Sequence, residues 1–238
     1  MTDKKIKSEV QSSVKPWYYG HRARMQDKIQ THGVESLTES ELLEQILMRA
    51  IPRRDVKPIV RELFSTFGNL AGILSAQTEE LIKIKGIKEN TANFLKVIRL
   101  VSHQLSLNKI QEHPILKNWE QLLDYAQNIF AGETVEKLYI LFLDTQLKLI
   151  RSQVQQVGSV NHIPVAPRDI LKSALNLNAS AVILMHNHPS GDPQPSKDDI
   201  IATEKIQLAL ASVNIKLLEH LVIGANRKFQ MVKLPNLM

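Results

Sequence analysis

The apolar pattern changes period partway along the chain, and this limits the fold more than any other feature of the sequence. From Gly20 to about Leu107 apolar residues recur at helical spacing and no segment alternates, which predicts helices alone. Leu42, Leu43, Ile46 and Leu47 follow the cap-type stretch Ser36-Leu-Thr-Glu. Further helices fit Val56 to Phe67 (closed by Gly68), Thr78 to Ile84, and Glu89 to about Leu105. Residues 106–117, mixed in character and carrying Pro114, read as a linker. Beyond it, Asn118 to Phe130 is an amphipathic helix, and Leu138 to Leu143 and Leu147 to Val157 are strands about a turn at 144–146. Pro167 can open a helix over Arg168 to Leu177. Ala179 to Met185 suits a buried central strand. Ser196 to about Ala211 is helical, and Lys216 to Ile223 and Lys228 to Val232 are strands around a Gly224-Ala-Asn turn. The expectation is an α+β chain. An all-α domain spans 17–110, and a second domain, 114–238, carries a mixed sheet with helices packed on it. Residues 1–16, polar and aperiodic, read as a disordered arm.

Composition narrows the chemistry. There is no cysteine, so there is no disulfide, thiolate metal site or cysteine nucleophile, and a metal would have to be held by His, Asp or Glu. The N-terminal MTDKKIKSEVQSS lacks an apolar core, and no apolar run reaches the roughly 18 residues a spanning helix needs. The expected setting is cytoplasmic, with no membrane partner. The net charge of +6 is uneven: residues 1–113 hold 18 Lys/Arg against 13 Asp/Glu, and residues 114–238 hold 12 against 11. A basic first half fits contact with nucleic acid, or equally a surplus serving solubility.

The most informative segment is Met185-His-Asn-His-Pro-Ser-Gly-Asp-Pro-Gln-Pro-Ser-Lys-Asp-Asp199. Alternate side chains of a strand share a face, so His186 and His188 point together and Asn187 points oppositely. Two imidazoles so placed can chelate one ion. Pro189, Gly191, Pro193 and Pro195 force a loop that brings the next helix start, and Asp199 in its first turn, back beside the strand end. Two His and one carboxylate leave a fourth tetrahedral position open, as in a catalytic zinc site, where the pKa of water falls to about 7. Ser196-x-x-Asp199 also fits a helix capping box.

His186-x-His188-x7-Ser196-x2-Asp199 resembles the JAMM (MPN+) metalloprotease motif. Its extended form, with Phe142-Leu-Asp144, Pro167-Arg168, Asn178-Ala-Ser and His220-Leu-Val-Ile-Gly224, is similar to the bacterial RadC-like proteins over residues 17–235. The resemblance implies a JAMM/MPN domain of cytidine-deaminase-like architecture. It also implies one zinc ion held by His186, His188 and Asp199, with Ser196 hydrogen-bonding a developing oxyanion. The activity it implies is hydrolysis of a peptide or isopeptide bond. The family's historical DNA-repair label supplies a second reading, a DNA-associated protein with a non-catalytic metal.

The JAMM mechanism also calls for a glutamate that accepts a proton from water. Counting about five residues back from Gly158 puts the expected acid at Gln153, an amide that cannot act as a base near neutral pH. A lost general base costs about 10²–10⁴-fold in rate. Glu133, Glu136, Asp144 and Glu219 are the acids that could fill the role instead.

In the first half, Ile84-Lys-Gly-Ile-Lys-Glu-Asn-Thr-Ala92 resembles the hairpin of a helix-hairpin-helix element. Gly86 would make the tight turn, and Lys83, Lys85 and Lys88 would meet phosphate. Lys88 stands where that motif has its second glycine. The same residues also fit an αα-hairpin with solvated lysines. A basic–aromatic cluster, Tyr18, Tyr19, His21, Arg22 and Arg24, carries no chemistry that its residue types define.

Overall fold

The structure is a computed structural model, described for residues 20–52, 54–111, 113–117, 119–156, 166–225 and 228–234. The arm expected at 1–16, Tyr18, Tyr19 and Gly158 lie outside these residues. The first half is helical: α1 (His21–His32), α2 (Glu39–Ala50), α3 (Lys57–Phe67), α4 (Leu70–Ser75), α5 (Thr78–Leu81) and α6 (Glu89–Gln111). Thr38, within the cap-type stretch, starts α2 through a capping box in which the Glu41 N–H donates to its hydroxyl and its own N–H donates to the Glu41 carboxylate. Arg22 closes the other end of α2. Its guanidinium donates to the carbonyls of Met48 at 2.8 Å and Ile51 at 2.9 Å, satisfying acceptors the helix leaves open. Leu43, Leu47, Leu63, Ile73, Leu81 and Leu95 fill the core between these helices. The six-residue α4, capped by Asn69, is too short to show a period in the sequence.

The described parts of the stretch expected to be a linker, 106–111 and 113–117, are structured. Helix α6 continues to Gln111, and Ile110 near its end is buried with Ile115 and Leu122 in the core of the second half. The same helix buries Ala92 and Leu95 in the first core, so one rigid element enters both. Contacts elsewhere tighten the junction. Arg99 of α6 donates to the Ile129 carbonyl at 3.1 Å and pairs with Glu133 at 3.0 Å. At Gly132 a Cβ would stand 2.5 Å from the Ala71 carbonyl, so only glycine lets the two halves approach this closely.

The second half contains α7 (Trp119–Phe130), β1 (Lys137–Leu143), β2 (Leu149–Gln156), α8 (Pro167–Asn176), β3 (Ala181–Asn187), α9 (Lys197–Ala211), β4 (Lys216–Ile223) and β5 (Phe229–Met231). The strands form one sheet in the order β2-β1-β3-β4-β5. β3 and β4 are parallel, joined through α9, and the other pairs are antiparallel. Alternation along the strands makes two cores. Leu141, Ile183, Met185 and Leu221 pack with α7, whereas Leu138, Ile140, Val182 and Leu184 pack with Ile170 of α8 and Ile206 of α9. His186 falls on the second face, the one covered by α9. No helix among the described residues is long and apolar enough to cross a membrane.

Candidate metal centre

Strand β3 runs two residues beyond the apolar stretch that predicted it, so His186 lies inside the sheet and is fully buried, while His188 follows the strand end with its side chain 16% exposed. The His188 N–H extends the pairing by donating to the Ile223 carbonyl at 2.9 Å. The Pro/Gly loop then folds back: the Gly191 N–H bonds the His188 carbonyl, and the Ala225 N–H bonds the Gly191 carbonyl, both at 2.9 Å. This return sets α9 beside β3 and buries Asp199.

Ser196 caps α9. Its hydroxyl accepts from the Asp199 N–H at 3.1 Å, and its own N–H and hydroxyl donate to Asp199 Oδ2 at 2.7 and 2.6 Å. The capping box and the metal-type cluster therefore share one carboxylate. Asp199 Oδ1 lies 3.4 Å from His186 Nε2, and Oδ2 lies 3.4 Å from His188 Nε2. Burial alone would raise the Asp199 carboxyl, but His186, His188 and the Ser196 hydroxyl outweigh it and hold the group well below the usual carboxylate range. The partnership with Asp199 raises His188 in turn.

A fourth group completes the cluster. Glu136, just ahead of β1, brings Oε1 to 3.9 Å from His186 Nε2, and ligand atoms of Glu136, His186, His188 and Asp199 all lie within 4.8 Å of one another. Asn187, on the opposite face from His186, holds that segment in place. Its Oδ1 accepts from the Lys137 N–H at 2.8 Å and its Nδ2 donates to the Val135 carbonyl at 3.1 Å, bracketing Glu136 on both sides. The other candidate acids are elsewhere. Glu133 pairs with Arg99 and Lys137, Asp144 accepts from the backbone of its own turn, and Glu219 is set opposite Ile183 in the register. Gln153 sits on β2 opposite Ile140, with β1 between it and β3. The expectation that the site's acid position is residue 153 is corrected: a count along a strand fixes neither its register nor its distance from the site, and the acid that reaches the cluster is Glu136.

The donor set fits a metal ion. His188 Nδ1 is 2.8 Å from the Asp192 carbonyl, which only accepts, so Nδ1 carries a proton and, in the neutral ring, the Nε2 lone pair faces the cluster. That atom is 3.0 Å from His186 Nε2. Two imidazole nitrogens on one tetrahedral zinc at ordinary bond lengths would be about 3.3 Å apart. A cleft of ≈ 510 Å³ opens beside His188, between Asn69 and Ala71 of the helical half and Gly132, Pro189 and Gly224 of the second.

In the helical half, Lys83, Lys85 and Lys88 are exposed around the turn at Gly86, whose φ of 104° requires glycine. Lys88 ends the turn without positive φ and offers its carbonyl to the Thr91 and Ala92 N–H groups that begin α6, so the missing second glycine leaves no strain.

This sheet, with its His, His, Asp and Glu cluster at the end of a central strand, defines an α/β domain with a metal-type site. Residues 116–234 match the model of the RadC-like JAB domain, and residues 16–93 match that of the UPF0758 N-terminal domain. A UPF0758 protein of Ruegeria pomeroyi is 41% identical over 204 residues, 86% of this chain and 91% of that protein. A UPF0758 protein of Rhodobacter capsulatus is 41% identical over 204 residues, 86% of this chain and 95% of that protein. The chain belongs to the RadC-like JAB family.

Proposed function

We propose that this protein is a zinc-dependent hydrolase of peptide or isopeptide bonds. One ion is held by His186, His188 and Asp199, and Glu136 serves as the general base. The observation that carries this reading is the arrival of Glu136, from a separate segment bracketed by Asn187, beside two imidazoles and a carboxylate already converged. A zinc ion held there would supply Lewis-acid activation of water. Glu136 accepts the proton of the attacking water and passes it to the leaving amine. Ser196, exposed at the helix start, releases Asp199 Oδ2 and donates its one hydroxyl proton to the oxyanion that develops on the substrate carbonyl. The cleft beside His188 takes the substrate chain, with the helical half as one wall. Hydrolysis of a peptide library tests the reading: cleavage stops with a chelator, returns with zinc, and is absent in His188→Ala. Cleavage that ignores the chelator sinks it.

A second reading rests on the exposed lysines around Gly86, beside which the Arg54 guanidinium also lies. Four cations about one turn suit nucleic-acid phosphate, giving affinity without sequence preference. Salt-dependent binding of duplex DNA, lost on Lys85→Glu with Lys88→Glu, supports it. Binding unchanged by that pair removes it.

A further inference from the structure

Behind His186 a row of polar groups crosses an otherwise apolar layer between the sheet and α9. Thr203 Oγ1 lies 2.5 Å from the Asp199 carbonyl and 2.6 Å from His220 Nδ1, and His220 Nε2 lies 2.7 Å from His186 Nδ1. Thr203, His220 and His186 are all buried, with exposures of 0%, 4% and 0%. Two secondary-structure spacings create the row. Thr203 stands one helical turn beyond Asp199, and His220 pairs with Leu184 in the parallel register, next to the strand that carries His186.

The row has one end that cannot donate, and this sets the direction of every bond in it. The Asp199 carbonyl has no proton, so the contact with Thr203 uses the only proton that hydroxyl has. Thr203 Oγ1 can then only accept from His220, which places the His220 proton on Nδ1. A buried neutral imidazole carries one such proton, so His220 Nε2 is bare and accepts from His186 Nδ1–H. The lone pair of His186 is thereby left on Nε2, the atom that faces His188, Asp199 and Glu136.

We propose that Thr203 and His220 are positioning residues: a one-way hydrogen-bond relay, anchored on the Asp199 carbonyl, that locks His186 into its metal-binding tautomer. The relay rests on the metal reading above. It also ties His186 of β3 and Asp199 of α9 together through their backs, so that the two groups keep their spacing before an ion arrives. Run in the opposite direction, the same contacts would place an N–H on His186 Nε2 and close the site to a cation.

Two measurements on the full chain test this. Long-range ¹H–¹⁵N correlation in metal-free protein is expected to show His220 and His186 both with the proton on Nδ1. A His220 protonated on Nε2 overturns the relay. Competition with a chromogenic chelator, using zinc alone as the probe, is expected to show Thr203→Val binding about 10–100-fold more weakly than the parent, with Thr203→Ser restoring most of the affinity. A folded Thr203→Val protein that binds zinc as tightly as the parent also overturns it. Should the parent itself bind no zinc, the metal reading falls, whereas the tautomers judge the relay separately.

Discussion

Ser196 serves two ends through one hydroxyl. In the structure it accepts from the Asp199 N–H and donates to Asp199 Oδ2, fixing both the start of α9 and the carboxylate of the cluster. Ser196→Ala is expected to cost about 1 kcal/mol of stability by loss of the cap, measured by urea unfolding. The Thr variant, which keeps a capping oxygen, should lose much less, and equal losses would contradict the capping account. At Gln153 the expectation is the reverse of what counting along the strand suggested. Because β1 separates it from β3, Gln153→Glu should leave the hydrolysis rate unchanged, and a marked rise would return the acid's role to that strand. His186, His188 and Asp199 are legible in the sequence because strand alternation and a proline-rich return fix their relation locally. Glu136 is legible only as one of four candidate acids, since its place depends on side-chain bonds from Asn187, about fifty residues later and on the opposite face, where periodicity sees only an amide pointing away. The signal that could have found it is its position just ahead of the strand that pairs with β3, where Leu138 stands opposite His186.

Among the elements, β1 and β3 meet at the site through Asn187. It is 4% exposed and satisfies one donor and one acceptor of the segment around Glu136. Asn187→Ala leaves both backbone groups unpaired and is expected to cost about 1–3 kcal/mol, read by chemical denaturation. It should also loosen Glu136 without removing the histidine pair, so zinc affinity should fall less than hydrolysis does. A variant as stable and as active as the parent would show that the bracket is incidental. Most elements are legible from apolar spacing within a residue or two at the ends, but α5 stops three residues before Ile84, α6 runs six beyond Leu105, and the spacing does not set α1 apart as a helix of its own. The misses have physical causes. α4 is shorter than two turns, and β3 continues through polar residues because its pairing partners persist after its apolar stretch ends.

At the scale of the molecule, α6 prevents the two family domains from being independent bodies. It starts in the first core and ends in the second, and Arg99 anchors its middle to Ile129 and Glu133. A fragment of residues 114–238 would lack that helix and expose the face of α7 that it covers. It should melt at a lower temperature than a fragment of residues 89–238, and equal melting would contradict the shared-helix account. The sequence marks the change of period but cannot show that the helix runs on through it, because Ser106, Asn108 and Lys109 look like linker residues until Ile110 is seen to be buried.

The proposed hydrolysis turns on Glu136 acting as the base beside a metal held by His186, His188 and Asp199. The hydrolysis rate of zinc-loaded Glu136→Gln, set against the parent at equal zinc content, tests it most directly. The expected result is a loss of about 10²–10⁴-fold with one zinc ion per chain retained. A variant that keeps the parent's rate would contradict it.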